Sequence, residues 1–260
     1  MKPIYRRALG LLAIAACVTV WTVTSGMSVR ERRTRTCQGK ARLEVTVTDS
    51  LERQFVGKED VAAWLDREYR AYAGLPLDSV DLRRIEQLVL AHSAVRETQA
   101  WLTDDGVLHI RLSQRQPVLR FETGEYGYYT DASGFVFPLQ ARSSADVCVV
   151  DGRIPLRIPK GFKGEPDAPA QKQWLSRMIA LTLAMEGTPW EKSIDHISVN
   201  AAQDLVLTPA GGQERFLFGP PVRIDEKLHL MQAYYQAVAP LDRDYRTVDL
   251  RFRDQLVCRK

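Results

Sequence analysis

Gly74-Leu75-Pro76-Leu77, Leu82-Arg83-Arg84-Ile85-Glu86, Asp104-Asp105-Gly106 and Gln114-Arg115-Gln116-Pro117-Val118 punctuate the stretch from Gly74 to Arg120. Between the first two and the third, Leu82, Ile85, Leu88 and Val89 recur at helical spacing, which predicts a helix from about Asp78 to His92. Val95 to Leu102 reads as a strand. After the Asp-Gly turn, Leu108, Ile110 and Leu112 alternate with His109, Arg111 and Ser113, so a second strand has one apolar face. An Asp-Gly pair between two such runs marks a hairpin. Pro117 has no N–H to give a ladder and marks a strand end or an edge.

Working outward, Leu43, Val45 and Val47 alternate with Glu44, Thr46 and Thr48, another half-buried strand. Val61, Trp64, Leu65, Tyr69 and Tyr72 keep helical spacing from Lys58 to about Tyr72, with Glu59 and Asp60 in the first turn, where they suit the helix dipole. The order is strand, helix, helix, strand, strand: two helices on one face of a three-stranded sheet, over residues 43–117. That order resembles a POTRA domain. With the lead-in Phe55-Val56-Gly57-Lys58-Glu59-Asp60, the Gln-Arg-x-Pro-Val exit and a C-terminal Val248-Asp249-Leu250-Arg251-Phe252, nearly the whole chain resembles the bacterial cell-division family FtsQ/DivIB. One departure is Gln114, where that family often carries Glu.

The charge is unevenly spread. The 260 residues carry a formal net charge of +4. Lys2, Arg6 and Arg7 stand without an acid in residues 1–26, and residues 27–42 hold Arg30, Arg32, Arg33, Arg35, Lys40 and Arg42 against Glu31. The remainder is therefore mildly acidic, which argues against a nucleic-acid-binding face. No charged residue occurs between Arg7 and Arg30. Residues 8–26 are expected to form a transmembrane helix after a short cytoplasmic tail, residues 1–7, since about twenty helical residues span the hydrocarbon. A cleaved signal peptide is the competing reading; the long apolar run and the lack of an Ala-x-Ala site oppose it. Trp21 suits an interface position. The basic segment 27–42 then meets anionic headgroups. The resemblance supplies the orientation, with the N-terminus inside and the bulk in the periplasm.

Residues 118–260 read as a second domain. Val118 to Glu122 is a strand. Tyr128-Tyr129-Thr130 and Phe135-Val136-Phe137 flank a turn at Asp131-Ala132-Ser133-Gly134, and Val147 to Val150 is a further strand. Gln171 to Met185 is helical through Trp174, Leu175, Met178, Ile179, Thr182 and Met185. Ile197–Asn200, Leu205–Thr208 and Arg215–Phe218 read as a meander. Ile224, Leu228, Met231, Tyr235 and Val238 define another helix, and strands near Thr247–Arg253 and Gln255–Cys258 close the chain. The fold class is α+β, the second domain an antiparallel β domain with helices on one side.

The sequence lacks a P-loop, Gly-x-Gly-x-x-Gly, Gly-x-Ser-x-Gly, Ser-x-x-Lys, Cys-x-x-Cys and His-Glu-x-x-His, so no motif asks for a cofactor, a metal or a catalytic residue. His92, His109, His196 and His229 are isolated in sequence, and Asp131, Asp195 and Asp249 sit at turn or strand positions. Cys37, Cys148 and Cys258 would face an oxidising compartment, where an odd number leaves at least one thiol free. Two classes compete: a non-catalytic scaffold presenting two domains to partners, and an anchored envelope hydrolase whose catalytic residues converge only in the fold. A cleft of convergent titratable groups would favour the second, an unpaired C-terminal sheet edge the first.

The resemblance implies the scaffold. It implies FtsB- and FtsL-like bitopic partners, other divisome membrane proteins met through the POTRA domain, and recruitment of the septal peptidoglycan machinery. A strand from Leu256 to Arg259, which ends one residue before the last, Lys260, is expected at the sheet edge with nothing after it to cover it. The expected partner site is Arg251, Phe252, Arg253, Leu256, Val257 and Cys258. The resemblance gives Arg251 a salt bridge to a partner carboxylate and Phe252 the role of a Tyr, without its hydroxyl. Arg253-Asp254-Gln255 is the expected turn into the edge strand.

Overall fold

The computed structural model describes residues 14–23, 25, 35–48, 55–140, 144–211, 214–241 and 244–260. They belong to two compact units, Met1–Gln114 and Arg115–Lys260. Residues 14–23 are helical, with Ile14, Val18, Val20, Trp21 and Val23 all exposed. No helix among the described residues is long and apolar enough to cross a membrane. Of the expected span 8–26, residues 8–13, 24 and 26 lie outside the described residues, as do residues 27–34 of the basic segment.

The first unit is built from β1 (Leu43–Val47), α1 (Lys58–Glu68), α2 (Leu82–Leu90), β2 (Val95–Leu102) and β3 (Leu108–Gln114). The sheet order is β1-β3-β2, with β1 parallel and β2 antiparallel to β3. Two helices between β1 and β2 bring the chain back to the same end, which allows β1 and β3 to run parallel. The register Leu43↔Leu108, Val45↔Ile110 and Val47↔Leu112 lines up the apolar alternation of both strands. Leu43, Leu108, Ile110 and Leu112 are buried, as are Val61, Leu65, Ile85 and Val89 from the helices.

Both helices are shorter than the periodicity predicts. α1 stops at Glu68 and a 3-10 turn, Arg70–Tyr72, carries the buried Tyr72. α2 begins at Leu82, after a separate 3-10 turn at Leu77–Ser79, because Asp81 caps it: its Oδ1 accepts from the Arg84 N–H at 3.0 Å. Gly106 closes the β2–β3 hairpin at φ +84°, and a Cβ there would stand 2.7 Å from the Thr36 carbonyl oxygen, so glycine is required twice over.

Gln114, at the end of β3, is 1% exposed, and its Oε1 accepts from the backbone N–H groups of Phe55 (2.6 Å) and Val56 (2.9 Å). This ties the lead-in of α1 to the sheet. Gln114→Ala leaves two buried donors unsatisfied, at a cost of about 1–3 kcal/mol each. We expect a loss of roughly 2–4 kcal/mol in denaturant unfolding; a loss below about 1 kcal/mol would mean that water replaces the side chain.

The second unit holds one nine-stranded sheet. Its strands are β4 (Pro117–Glu122), β5 (Gly127–Asp131), β6 (Val136–Pro138), β7 (Cys148–Gly152), β8 (His196–Val199), β9 (Leu205–Thr208), β10 (Arg215–Gly219), β11 (Thr247–Asp249) and β12 (Val257–Arg259). Its helices are α3 (Pro169–Met185), α4 (Trp190–Ser193) and α5 (Ile224–Ala233), the last extended by a π-helical turn, Tyr234–Val238. The order is β12-β11-β10-β9-β8-β7-β4-β5-β6.

The sheet is mixed, which corrects the expected antiparallel domain: β4 and β7, β7 and β8, and β10 and β11 pair parallel. For β7–β8 and β10–β11 the physical reason is the helical crossover. α3 and α4 separate β7 from β8, and α5 separates β10 from β11. A helix between two neighbouring strands returns the chain to the starting end, so the strands run the same way. The β8-β9-β10 meander and the β5–β6 hairpin are antiparallel as expected.

One register row crosses the sheet through Phe121, Val150, Ile197, Leu207, Phe216 and Val248 and ends at Cys258. The first six are fully buried, and Cys258 packs against the same cluster, joined by Leu175, Met178, Leu181 and Met231 of the helices. The core therefore lies on one face of the sheet. Arg115 and Asp131 anchor the start of this unit. Arg115 Nη1 donates to Asp131 Oδ2 at 2.8 Å with both side chains nearly buried. Asp131 Oδ1 accepts from Ser133 N, Ser133 Oγ and Phe135 N.

Candidate functional site

β12 is at one end of the nine-stranded sheet. It pairs with β11 through Thr247↔Arg259, Val248↔Cys258 and Asp249↔Val257, and among the described residues nothing pairs on its other side. β6, at the opposite end, is treated differently. Val136 N–H donates to the Gly164 carbonyl at 2.8 Å and Gly164 N–H donates to the Val136 carbonyl at 3.0 Å, so a loop occupies that edge. An uncovered edge strand presents N–H and C=O groups to any chain that can lie alongside.

Around β12 the structure places the expected residues as follows. β12 starts at Val257, one residue later than expected, and Leu256 is half-buried against the core. β11 ends at Asp249, four residues earlier than expected. Phe252 is 42% exposed and Arg253 is exposed, the latter without an ion pair among the described residues. Asp254 has φ +54°, a left-handed residue in the turn expected at Arg253-Asp254-Gln255. Cys258 is half-buried, and burial pushes its thiol up. Cys37, Cys148 and Cys258 are all free thiols.

Arg251 has internal partners. Its Nε donates to Asp249 Oδ1 at 2.9 Å and its Nη2 to Asp249 Oδ2 at 2.8 Å, a two-pronged pair with a carboxylate that is 1% exposed. Its Nη1 donates to Asp204 Oδ2 at 3.1 Å. Hydrogen bonds from Arg251 hold the Asp249 carboxyl below the usual range, against the opposing effect of burial. The Arg251 stem crosses Gly219, where a Cβ would stand 2.7 Å from Cγ. Arg223, itself left-handed at φ +55°, donates from Nη2 to the Arg251 carbonyl at 2.8 Å and from Nη1 to Glu226 Oε1 at 2.7 Å. Glu226 Oε1 also accepts from the Asp254 N–H at 3.3 Å. Sequence reading missed Asp204, Arg223 and Glu226. They lie 47, 28 and 25 positions before Arg251, and no local pattern links them to it.

Beside this cluster, Lys227 is 1% exposed; its Nζ donates to the Pro220 carbonyl at 2.7 Å and lies 4.5 Å from the Phe218 ring centroid. Burial, with the Arg223 charge, lowers it from 10.5 to about 8. A lysine whose folded value is lowered loses its proton sooner in the folded chain than in the unfolded one. Between about pH 8 and about pH 10.5 the unfolded chain therefore binds more protons, and this group makes stability rise with pH. Cys148, pushed up to about 12 by burial, works the other way from about pH 9. The Lys227 effect is therefore read as the difference between wild type and Lys227→Met. We expect that difference to shift in favour of wild type from pH 7.5 to pH 9.5; a constant difference would refute a depressed lysine.

The histidines are apart from one another. His92 stacks on Trp64 at 3.4 Å, His109 stacks on Trp101 and approaches Glu44 at 3.2 Å, and His196 approaches Asp151 at 3.2 Å. Among the described residues no group of three or more His, Cys, Asp or Glu is placed to hold a metal ion. A cavity of the second unit, about 1140 Å³, is lined by Trp190, Glu214, Asp225, His229, Tyr235 and Asp244 among others. The Tyr235 hydroxyl donates to Glu214.

A family model described as FtsQ/DivIB, C-terminal related, matches residues 116–259, and one described as a POTRA-like domain matches residues 36–113. No curated protein matches the chain. The first match takes in more than half of the 260 residues and all nine strands of the second sheet. The chain belongs to the FtsQ/DivIB family of cell-division proteins, with a POTRA-like domain ahead of its C-terminal domain.

Proposed function

We propose that this chain is a non-catalytic divisome scaffold of the bacterial inner membrane. Residues 1–7 form the cytoplasmic tail, residues 8–26 the single span, and residues 27–42 a basic segment at the headgroups. The domains at 43–117 and 118–260 are periplasmic, at the division septum. The C-terminal domain binds FtsB- and FtsL-like bitopic proteins by strand addition, the POTRA-like domain meets other divisome membrane proteins, and the assembly recruits septal peptidoglycan synthesis. No cofactor takes part. The binding surface is the outer edge of β12 at Leu256, Val257 and Cys258, flanked by Phe252 and Arg253 and rooted at Arg251.

The observation that carries this reading is the asymmetry of the two sheet edges. β6 is bridged by Gly164, whereas among the described residues β12 has an open side, with the exposed Phe252 and Arg253 beside it. Main-chain pairing there supplies affinity, and alternate side chains supply specificity. The exposed apolar residues on the helix at 14–23 support the anchor, since a lipid-facing helix has no other use for them.

Affinity capture of the tagged full chain from detergent-solubilised membranes, with a photo-crosslinking residue at Arg259, tests the surface. The expected product is a crosslink to a small single-span coiled-coil protein; crosslinks confined to other faces would overturn the assignment. The anchor has its own check. Intact mass of the membrane-extracted protein should include residues 8–26, and a mature start near Met27 would show a cleaved leader instead.

A further inference from the structure

The family resemblance gives Arg251 to a partner carboxylate, but in this chain two internal carboxylates already hold it. Asp249 takes the Nε/Nη2 fork at 2.9 and 2.8 Å, and Asp204, in the turn between β8 and β9, takes Nη1 at 3.1 Å. The three side chains together carry one net negative charge. A third carboxylate approaching Arg251 would meet both aspartates at short range, where like charges repel. The same guanidinium sits at the root of the turn that leads into β12. Its backbone N–H donates to Asp249 Oδ1 at 3.1 Å, its carbonyl accepts from Arg223 at 2.8 Å, and Glu226 receives the Asp254 N–H farther along that turn.

We infer that Arg251 is a positioning residue: with Asp204 and Asp249 it forms an internal latch that fixes residues 250–256 and so holds β12 in register, ready for a partner strand. Asp204 is the diagnostic member. It belongs to a different turn, and among the described residues its side-chain hydrogen bond and ion pair to the segment leading into β12 are made with Arg251. If Arg251 served a partner carboxylate, Asp204 would compete with that partner, and removing it would strengthen capture. If Arg251 is a latch, removing Asp204 weakens capture. The two roles thus give opposite signs for one substitution.

The first measurement needs no partner. Hydrogen exchange of the β12 amides that face β11 is followed in the full chain in detergent. Arg251→Ala and Asp204→Ala should each speed it by ~10-fold, the scale of one lost charge-assisted hydrogen bond, while β8 and β9 strand amides stay protected. Arg251→Lys should restore part of the protection, because an ammonium can meet one carboxylate but cannot make the fork. Unchanged β12 exchange in Arg251→Ala overturns the latch.

The second measurement rests on the strand-addition reading of β12. In capture of the crosslinked partner described above, Asp204→Ala and Asp204→Asn should lower recovery, Asp204→Ala by ~10-fold. Equal or greater recovery from both, with loss from Arg251→Ala, would return Arg251 to the partner and overturn the latch. If disrupting β12 itself leaves capture intact, strand addition fails, and the exchange measurement still decides the latch.

Discussion

Asp131→Ala is expected to lower the stability of the C-terminal unit by about 3–5 kcal/mol, the usual consequence of removing one member of a buried ion pair. The substitution strands Arg115, whose guanidinium lies 2.8 Å from the Asp131 carboxylate and 3.3 Å from the Phe135 ring centroid. It also removes the acceptor for Ser133 N, Ser133 Oγ and Phe135 N, which together shape the β5–β6 turn. In a unit of this size the loss should shift the thermal midpoint by on the order of 10 °C. Asp131→Asn should cost less, because an amide oxygen still accepts from the turn. A full-chain thermal scan with a midpoint within a degree or two of wild type would show that Arg115 escapes to solvent and that the turn closes without the carboxylate.

Val257→Pro should abolish strand addition while sparing the core. Val257 opens β12 opposite Asp249, is half-buried, and has no described strand beyond it. Proline removes one N–H and breaks the pairing geometry of a three-residue strand. Two or three main-chain bonds at about 1 kcal/mol each then disappear from the interface. Recovery of the coiled-coil partner should fall by tenfold to a hundredfold or thereabouts. The row from Phe121 to Val248 lies outside the substitution, so near-ultraviolet circular dichroism should keep its native shape. A folded Val257→Pro protein that captures its partner as well as wild type would mean that binding uses another surface.

Much of this architecture is written in local pattern. The Leu43-Val45-Val47 alternation, the Leu82-Ile85-Leu88-Val89 stripe and the Asp104-Asp105-Gly106 turn each report on neighbours within a few residues, and they place the strands and helices of the first unit without knowledge of its tertiary contacts. The ends of helices are less legible. α2 starts at Leu82 because Asp81 caps it, whereas the reading from sequence starts the helix near Asp78. Strand direction in the second unit is encoded too, in the strand-helix-strand order around α3 and again around α5. Reading each strand by its own alternation hides that, because alternation reports which face is buried and is silent about which way a neighbour runs.

The sequence by itself determined the residues that can enter a core, the turn at Gly106 and the order of the elements, since these follow from side-chain periodicity and backbone sterics within short windows. Tertiary structure decided the rest. Whether a strand is central or at an edge depends on which segment lies beside it: on its outer side β6 meets Gly164 and β12 meets no described strand, though both are three residues long. The role open to Arg251 depends on Asp204, 47 positions earlier, which reaches it because β9, β10 and β11 are neighbours in the sheet. A charge reads the same in any sequence, but its partner is set by distance in space, and Coulomb's law acts on that distance alone.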